Sequence, residues 1–138
     1  MKSVTLFVQG RPQGKGRPRM TRAGRVYTPP ATRDYERRIR NAWTDAAGDF
    51  TFGPLPVRVT IRAVFPIPKS ATKARRERMA AGLEIPMKKP DIDNICKAVM
   101  DGLNGAAYQD DAQVVSVRAL KQYGTDPGLE VTVSDYVL

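Results

Sequence analysis

The chain contains no histidine, and its only cysteine is Cys96. The missing histidine excludes Ser-His and Cys-His nucleophilic machinery and any imidazole general base. It also argues against a Cys/His zinc site. A single cysteine leaves no internal disulfide, and a reducing cytoplasm suits it as well as any compartment. No apolar run approaches the ~20 residues that a membrane-spanning helix needs, so a membrane partner is the weaker reading. The opening stretch MKSVTLFVQG is too short in its apolar part to read as a secretory signal. Acid is scarce as well: 14 Asp and Glu stand against 23 Lys and Arg, a net charge of +9. An excess of that size points to a polyanionic partner, nucleic acid first. Any hydrolysis by this chain must then use carboxylates, lysine and metal ions.

The few acids are not scattered. Asp91 and Asp93 stand one residue apart, and Asp110 and Asp111 stand side by side. Between the pairs, Ile92, Ile95, Cys96, Val99, Met100 and Leu103 follow the i, i+3, i+4 spacing of one helical face. A helix is expected from about 92 to 103, ended by Asn104-Gly105. Asp91 can cap it after Pro90, and Asp93 lies near the positive end of its dipole. Asp93, Lys97 and Asp101 share a stripe away from the apolar face. Each piece alone reads more readily as a cap, a turn or a surface pair than as part of a site. Four carboxylates and a lysine around one short helix, in so basic a chain, read as a site for a hard metal ion.

The rest of the chain supplies a scaffold and cations. Its 138 residues fit one domain with a real core. Ser3 to Gln9 alternates like a strand, with Val4, Leu6 and Val8 on one side. Residues 10–30 form a Gly-, Pro- and Arg-rich segment carrying Lys15, Arg17, Arg19, Arg22 and Arg25. It reads as a mobile loop that contacts phosphates, with Tyr27 available to stack. It is not a P-loop, since no Gly-Lys-Ser/Thr opens a helix. A helix is expected over 28–48, capped by Thr28 or Thr32. Tyr35, Ile39, Ala42, Trp43 and Ala46 would face the core, and Arg33, Arg37, Arg38 and Arg40 would face outward. Val57 to Phe65 reads as a second strand. Ser70 to Ala81 reads as a charged helix capped by Ser70, within a flexible basic segment at about 69–89. That segment holds Arg75, Arg76, Lys88 and Lys89 and suits a flap ordered by DNA. Two last strands, 113–123 and 129–137, are expected to pair as an antiparallel hairpin. The order implies an α+β, two-layer domain: one mixed sheet of about four strands with helices on one face.

The contrast of charge suggests a chemistry. Phosphodiester hydrolysis needs an activated water and charge relief at the phosphate. Mg²⁺ held by two or three aspartates supplies both. Lys97, one turn from Asp93, is suited to steady phosphate or orient water.

The pattern Pro90-Asp91-x-Asp93-Asn94-x-x-Lys97-x-x-x-Asp101-Gly102-Leu103, followed by Asp110-Asp111-x-Gln113-Val114, resembles the signature of the RusA family of Holliday-junction resolvases. Gly16-Arg17-Pro18-Arg19 and Tyr27-Thr28-Pro29 are similar to the arm of phage-type members. The resemblance spans most of the chain. It implies a small RusA-like homodimer, typical of phages and prophages, in a bacterial or phage-infected cytoplasm. It implies binding of four-way junction DNA and paired cuts in opposing strands with Mg²⁺ or Mn²⁺, in recombination, repair or phage DNA processing. Asp91, Asp93 and Asp111 are the implied metal-binding catalytic aspartates, with Asp110 as the substitute for Asp111, and Lys97 is the implied functional lysine. A two-fold dimer also suits a nearly two-fold junction on physical grounds. Two other readings stand beside it: a flap or fork nuclease of the same fold, and a basic DNA-binding protein without activity.

Overall fold

The computed structural model describes residues 2–137. In chain order the elements are β1 (Ser3–Gln9), β2 (Arg19–Met20), β3 (Val26–Tyr27), α1 (Pro30–Ala47), β4 (Val57–Pro66), α2 (Lys73–Ala80), α3 (Ile92–Leu103), β5 (Val114–Gly124) and β6 (Gly128–Asp135), with a 3₁₀ turn at Asp111–Gln113. The main sheet has four strands in the order β1-β6-β4-β5. β4 and β5 run parallel, while β6 is antiparallel to both β1 and β4. The sheet is therefore mixed, and with three helices the domain is α+β as its sequence implies.

Period-2 alternation selects the faces. Val4, Leu6 and Val8 of β1, Val57, Val59, Ile61, Ala63 and Phe65 of β4, and Leu129, Val131 and Val133 of β6 are all buried. They meet Tyr35, Ile39 and Trp43 of α1 and Ile95, Ala98, Val99 and Leu103 of α3 in one core. The opposite face is largely polar: Thr5 and Thr132 share a hydrogen bond of 2.9 Å, and Arg62 pairs with Glu130 at 2.9 Å.

The last two strands do not form the hairpin their sequence suggests. β6 enters between β1 and β4, and β5 takes the far edge beside β4. Only three residues, Thr125 to Pro127, link strands that flank a third. Glycines at both ends make that crossing possible. A Cβ on Gly124 would stand 2.6 Å from Val64 Cγ1, and one on Gly128 would stand 2.6 Å from the Val8 carbonyl. Burial decides the order: β6 carries the more continuous apolar face, whereas Val115, Val117 and Leu120 of β5 are exposed.

Helix ends also depart from expectation. α1 begins at Pro30, after Pro29, with no side-chain cap, so neither Thr28 nor Thr32 serves there. Thr32 is buried instead, and its Oγ1 accepts from the Gly16 N–H at 3.0 Å. Ala46 is exposed, and Ala47 packs against the core in its place. α2 is capped by Thr72 rather than Ser70 and buries only Met79. The basic segment after β1 is not a shapeless loop. It folds into the β2–β3 ribbon, joined by Arg19↔Tyr27 and Met20↔Val26 pairs. Among the described residues, no helix is long and apolar enough to cross a membrane.

α3 is the element that carries the acids, and α1 fixes it. A Cβ on Gly102 would stand 3.0 Å from Ile39 Cβ and 3.1 Å from the Glu36 carbonyl. The absence of a side chain lets the two helices touch there. Gly102→Val should lower unfolding free energy by roughly 1–3 kcal/mol through overpacking, read as an earlier urea midpoint. An unchanged midpoint would mean that the α1–α3 contact is looser than described.

Candidate metal and nucleic-acid site

α3 exists because its buried face, Ile95, Ala98, Val99, Gly102 and Leu103, is continuous. Burial of that face turns Asp93 and Lys97 to solvent and leaves Asp101 half-covered. Asp91 occupies the N-cap position with extended backbone, yet its carboxylate makes no capping bond. It meets Lys89 Nζ at 2.9 Å instead, in a pair whose side chains are 84% and 50% exposed. Such a pair contributes only about 0–1 kcal/mol, so Asp91 can exchange it for another cation. Among the described residues, Asp93 Oδ1 accepts only from the Asn94 N–H, at 3.0 Å. Both carboxylates lie at the positive end of the helix and carry little structural duty.

The second acidic pair divides its work. Asp110 caps the 3₁₀ turn: its Oδ2 accepts from the Ala112 N–H at 3.1 Å, and the Gln113 side chain accepts from the Asp110 N–H at 2.9 Å. The same Gln113 amide donates to the carbonyls of Gly53 at 2.6 Å and Leu55 at 2.9 Å, latching the turn to the segment before β4. Asp111 is exposed, with no hydrogen bond to its carboxylate among the described residues. Tyr108, whose hydroxyl donates to the Met100 carbonyl at 2.8 Å, lies amid this acid. Burial, then Asp111, Asp101 and Asp110, push its pKa far above the usual tyrosine value, so it stays a neutral donor. Cys96 is also pushed up, by burial and then by Asp93, and is a protonated core residue rather than a nucleophile.

Among the described residues, no three His, Cys, Asp or Glu side chains group closely enough to hold a metal ion. Two accessible donors stand together at the head of α3: Asp93, and Asp91 with its exposed Lys89 partner. Their hard, exposed oxygens fit an ion that takes one or two protein carboxylates and fills its remaining positions with water and phosphate.

The cations fall into two sets. Arg17, Arg19, Arg22 and Arg25 are exposed along the β2–β3 ribbon without an ion pair among the described residues, and Tyr27 is 39% exposed beside them. Arg76 is free as well and lines a cleft of about 520 Å³ with Lys69 and Lys73. Lys97 is exposed and unpaired among the described residues. The other set is committed. Arg75 pairs with Glu84 at 2.5 Å, Lys89 with Asp91, and Lys88 lies over the Tyr123 ring at 5.6 Å. Arg38 and Arg40 of α1, expected to face outward, also hold structure. Arg38 donates to the Gln9 carbonyl, and Arg40 donates to the Gly102 and Asn104 carbonyls at 3.4 and 2.6 Å. Arg40 thus neutralises the C-terminal end of α3. Arg11, the first cation of the basic segment, and Lys121, which spacing alone does not single out, support the acid end. Arg11 donates to the Lys89 carbonyl at 3.3 Å, and Lys121 donates to the Lys88 carbonyl at 2.6 Å.

Lys15 is the most engaged of the candidate DNA contacts. Its ammonium bridges Glu36 of α1 at 2.8 Å and Asp101 of α3 at 3.0 Å, while its N–H donates to the Asn94 carbonyl at 2.9 Å. Gly14 alongside is pressed against Asn94 and Pro90, where a Cβ would stand 2.9 Å from both side chains. The root of the basic segment is thus clamped across the acid end of α3.

This is a small cationic α+β domain with uncommitted carboxylates at one helix end, the outline of a DNA-processing protein. Comparison with known proteins is more specific. Residues 9–134 match the family Endodeoxyribonuclease RusA. "Uncharacterized protein YqaN" of Bacillus subtilis (strain 168) is 34% identical over 139 residues, spanning 98% of this chain and 98% of that protein. The chain belongs to the RusA endodeoxyribonuclease family, and its class is nuclease.

The clamp makes a pH prediction. Burial opposes the charge on Lys15, but its bonds to Glu36 and Asp101 outweigh that, and its pKa lies above the ordinary 10.5. A raised folded-state pKa gives stability that is fully present below the unfolded value and is lost as pH climbs through the folded one. Lys15→Met should therefore cost about 1–2 kcal/mol near neutral pH. The gap from wild type should persist to about pH 10 and close above it, as followed by Tm. A gap that widens in alkali would contradict the bridge.

Proposed function

We propose that this chain is a metal-dependent endonuclease that resolves Holliday junctions by paired hydrolytic cuts in opposing strands. It acts as a homodimer on four-way junction DNA, in recombination, repair or phage DNA processing in the cytoplasm. One observation carries the reading. Asp91 sits where a helix cap belongs but leaves the helix uncapped, held by an exposed pair with Lys89, and Asp93 beside it accepts from the Asn94 N–H, within a surface of lysines and arginines.

In this reading Asp91 and Asp93 hold the divalent ion. Asp111, spared the capping bond that occupies Asp110, joins them as the third donor only when metal and DNA draw the acids together, since the three do not group around one point here. A bound Mg²⁺, or Mn²⁺ in its place, supplies charge relief at the phosphate and a more acidic water. Lys97 faces the same solvent as Asp93 and stabilises the charge that builds on the phosphate oxygens. With no histidine in the chain, no imidazole shares the proton traffic. Arg17, Arg19, Arg22, Arg25 and Tyr27 on the ribbon, and Arg76 on α2, contact the DNA backbone over a wider area. Lys88 and Lys89 keep that surface positive up to the site. Lys15 and Arg75 act through the struts they make, holding the cationic segments in place. Binding is accordingly steep in salt.

Purified protein with Mg²⁺ should place paired nicks in a synthetic four-way junction and leave linear duplex intact. Changing an outer-shell residue of a metal site already costs about 10–100-fold, so Asp93→Asn should cost more than about a hundredfold in cutting while junction binding survives. Preferential cutting of flaps or forks would replace the junction reading. Binding with no cutting in Mg²⁺ or Mn²⁺ would leave only a DNA-binding protein.

A further inference from the structure

The segment between α2 and α3 has its apolar pattern turned inside out. Leu83 is 77% exposed, Ile85 58% and Met87 96%, while Glu84 is partly covered and Pro86 is buried between them. Among the described residues, no large apolar side chain is more exposed than Met87, and Leu83 comes next. Loops normally face polar groups to water and tuck apolar ones away.

Looseness does not explain the inversion, because the segment is tied down along its length. The Leu83 N–H donates to the Arg78 carbonyl at 2.9 Å. Glu84 is gripped by Arg75 at 2.5 Å and approached by Arg78 at 4.0 Å. Lys121 and Arg11 hold the carbonyls of Lys88 and Lys89. The inward residues anchor the loop, and the three apolar tips are held out.

The surroundings say what the tips meet. On one side is α2, with Lys73, Arg75, Arg76 and Arg78 against a single Glu77. On the other are Lys88, Lys89 and then Asp91, at most about 14 Å of chain beyond Met87. A second copy of a chain with net charge +9 would bring like charge against this face. DNA brings the opposite charge, but an intact duplex shows phosphates and grooves, with no apolar surface to cover these tips. Unstacked bases offer one, and Leu, Ile and Met side chains are suited to insert between base steps. Bases at a branch point are cheaper to unstack than bases within a helix.

The geometry points to Met87, backed by Ile85 and Leu83, as an apolar wedge that enters the DNA branch point and takes up unstacked bases, while Lys88 and Lys89 hold the adjoining phosphates. This rests on the nuclease reading above and deepens it: the wedge selects a branched substrate and sets the strand beside Asp91 and Asp93.

A four-way junction with 2-aminopurine at the branch point tests the wedge in Ca²⁺, apart from cutting. Wild-type protein should raise the fluorescence. The double variant Ile85→Ser with Met87→Ser, both at exposed positions, should abolish most of the rise. Loss of the apolar groups that offset a few kcal/mol of unstacking implies a loss of about tenfold or more in junction affinity, with duplex affinity held within about twofold. Met87→Leu should keep both properties. Unchanged fluorescence and junction preference in the double variant would overturn the wedge. So would a fall in sedimentation coefficient that accounts for the loss, since the tips would then join two copies. A Met87-dependent signal with no cutting in Mg²⁺ would sink the nuclease reading and leave the wedge standing. Equal junction-selective cutting by wild type and double variant would do the reverse.

Discussion

One contact fixes the orientation of everything that matters chemically: α3 lying hard against α1 at Gly102 and Ile39. A helix of 12 residues is marginal alone in water. This one persists because Ile95, Val99 and Leu103 are fully buried against the sheet and α1. Once that face is committed, the helix cannot rotate. Asp93 and Lys97 must face solvent, and Asp91 must stand at the exposed entrance. Arg40, reaching from α1 to the last carbonyls of α3, and Lys15, bridging Glu36 and Asp101, brace the same contact from its edges.

Charge is then distributed by a simple rule. Cations at the roots of the basic segments are spent on structure, and those at the tips are free. Lys15 and Arg75 each neutralise carboxylates and hold a segment in place. Arg17, Arg19, Arg22 and Arg25 ride an exposed ribbon with nothing to pair with among the described residues. Acids follow the mirror rule. Asp101 and Asp110 are occupied by a lysine and by a capping bond, while Asp93 and Asp111 are open. In the function proposed above, this basic shell attracts DNA first and the few unsatisfied carboxylates take a divalent ion with it.

Local rules made much of this legible. The spacing from Ile92 to Leu103 marked α3 to the residue, and alternation marked β1 and β4 almost as well. Non-local competition stayed hidden. Turn chemistry at Asp126-Pro127-Gly128 is the same whether the strands it joins pair directly or flank a third. Only the pairing of β6 along both its edges decides, and that is a property of the whole sheet. Thr32 has cap chemistry, yet it serves Gly16 because the basic segment folds back over α1. Arg38 and Arg40 fall on the outward arc of α1, yet their length lets them return to Gln9 and to the end of α3. The acids show the same limit. Their positions were plain, but Asp101 is occupied by Lys15, brought in by the fold, and neither the Lys89–Asp91 pair nor the turn at Gln113 follows from spacing alone.

We propose that the exposed carboxylates at the head of α3 seat a divalent ion against a DNA phosphate. Mn²⁺ uptake followed by EPR, with and without a four-way junction, tests it most directly. The account predicts Mn²⁺ bound to the wild-type complex with junction and lost when Asp91 and Asp93 are both changed to Asn. Equal uptake by the two proteins, or no uptake by the wild-type complex, would contradict it.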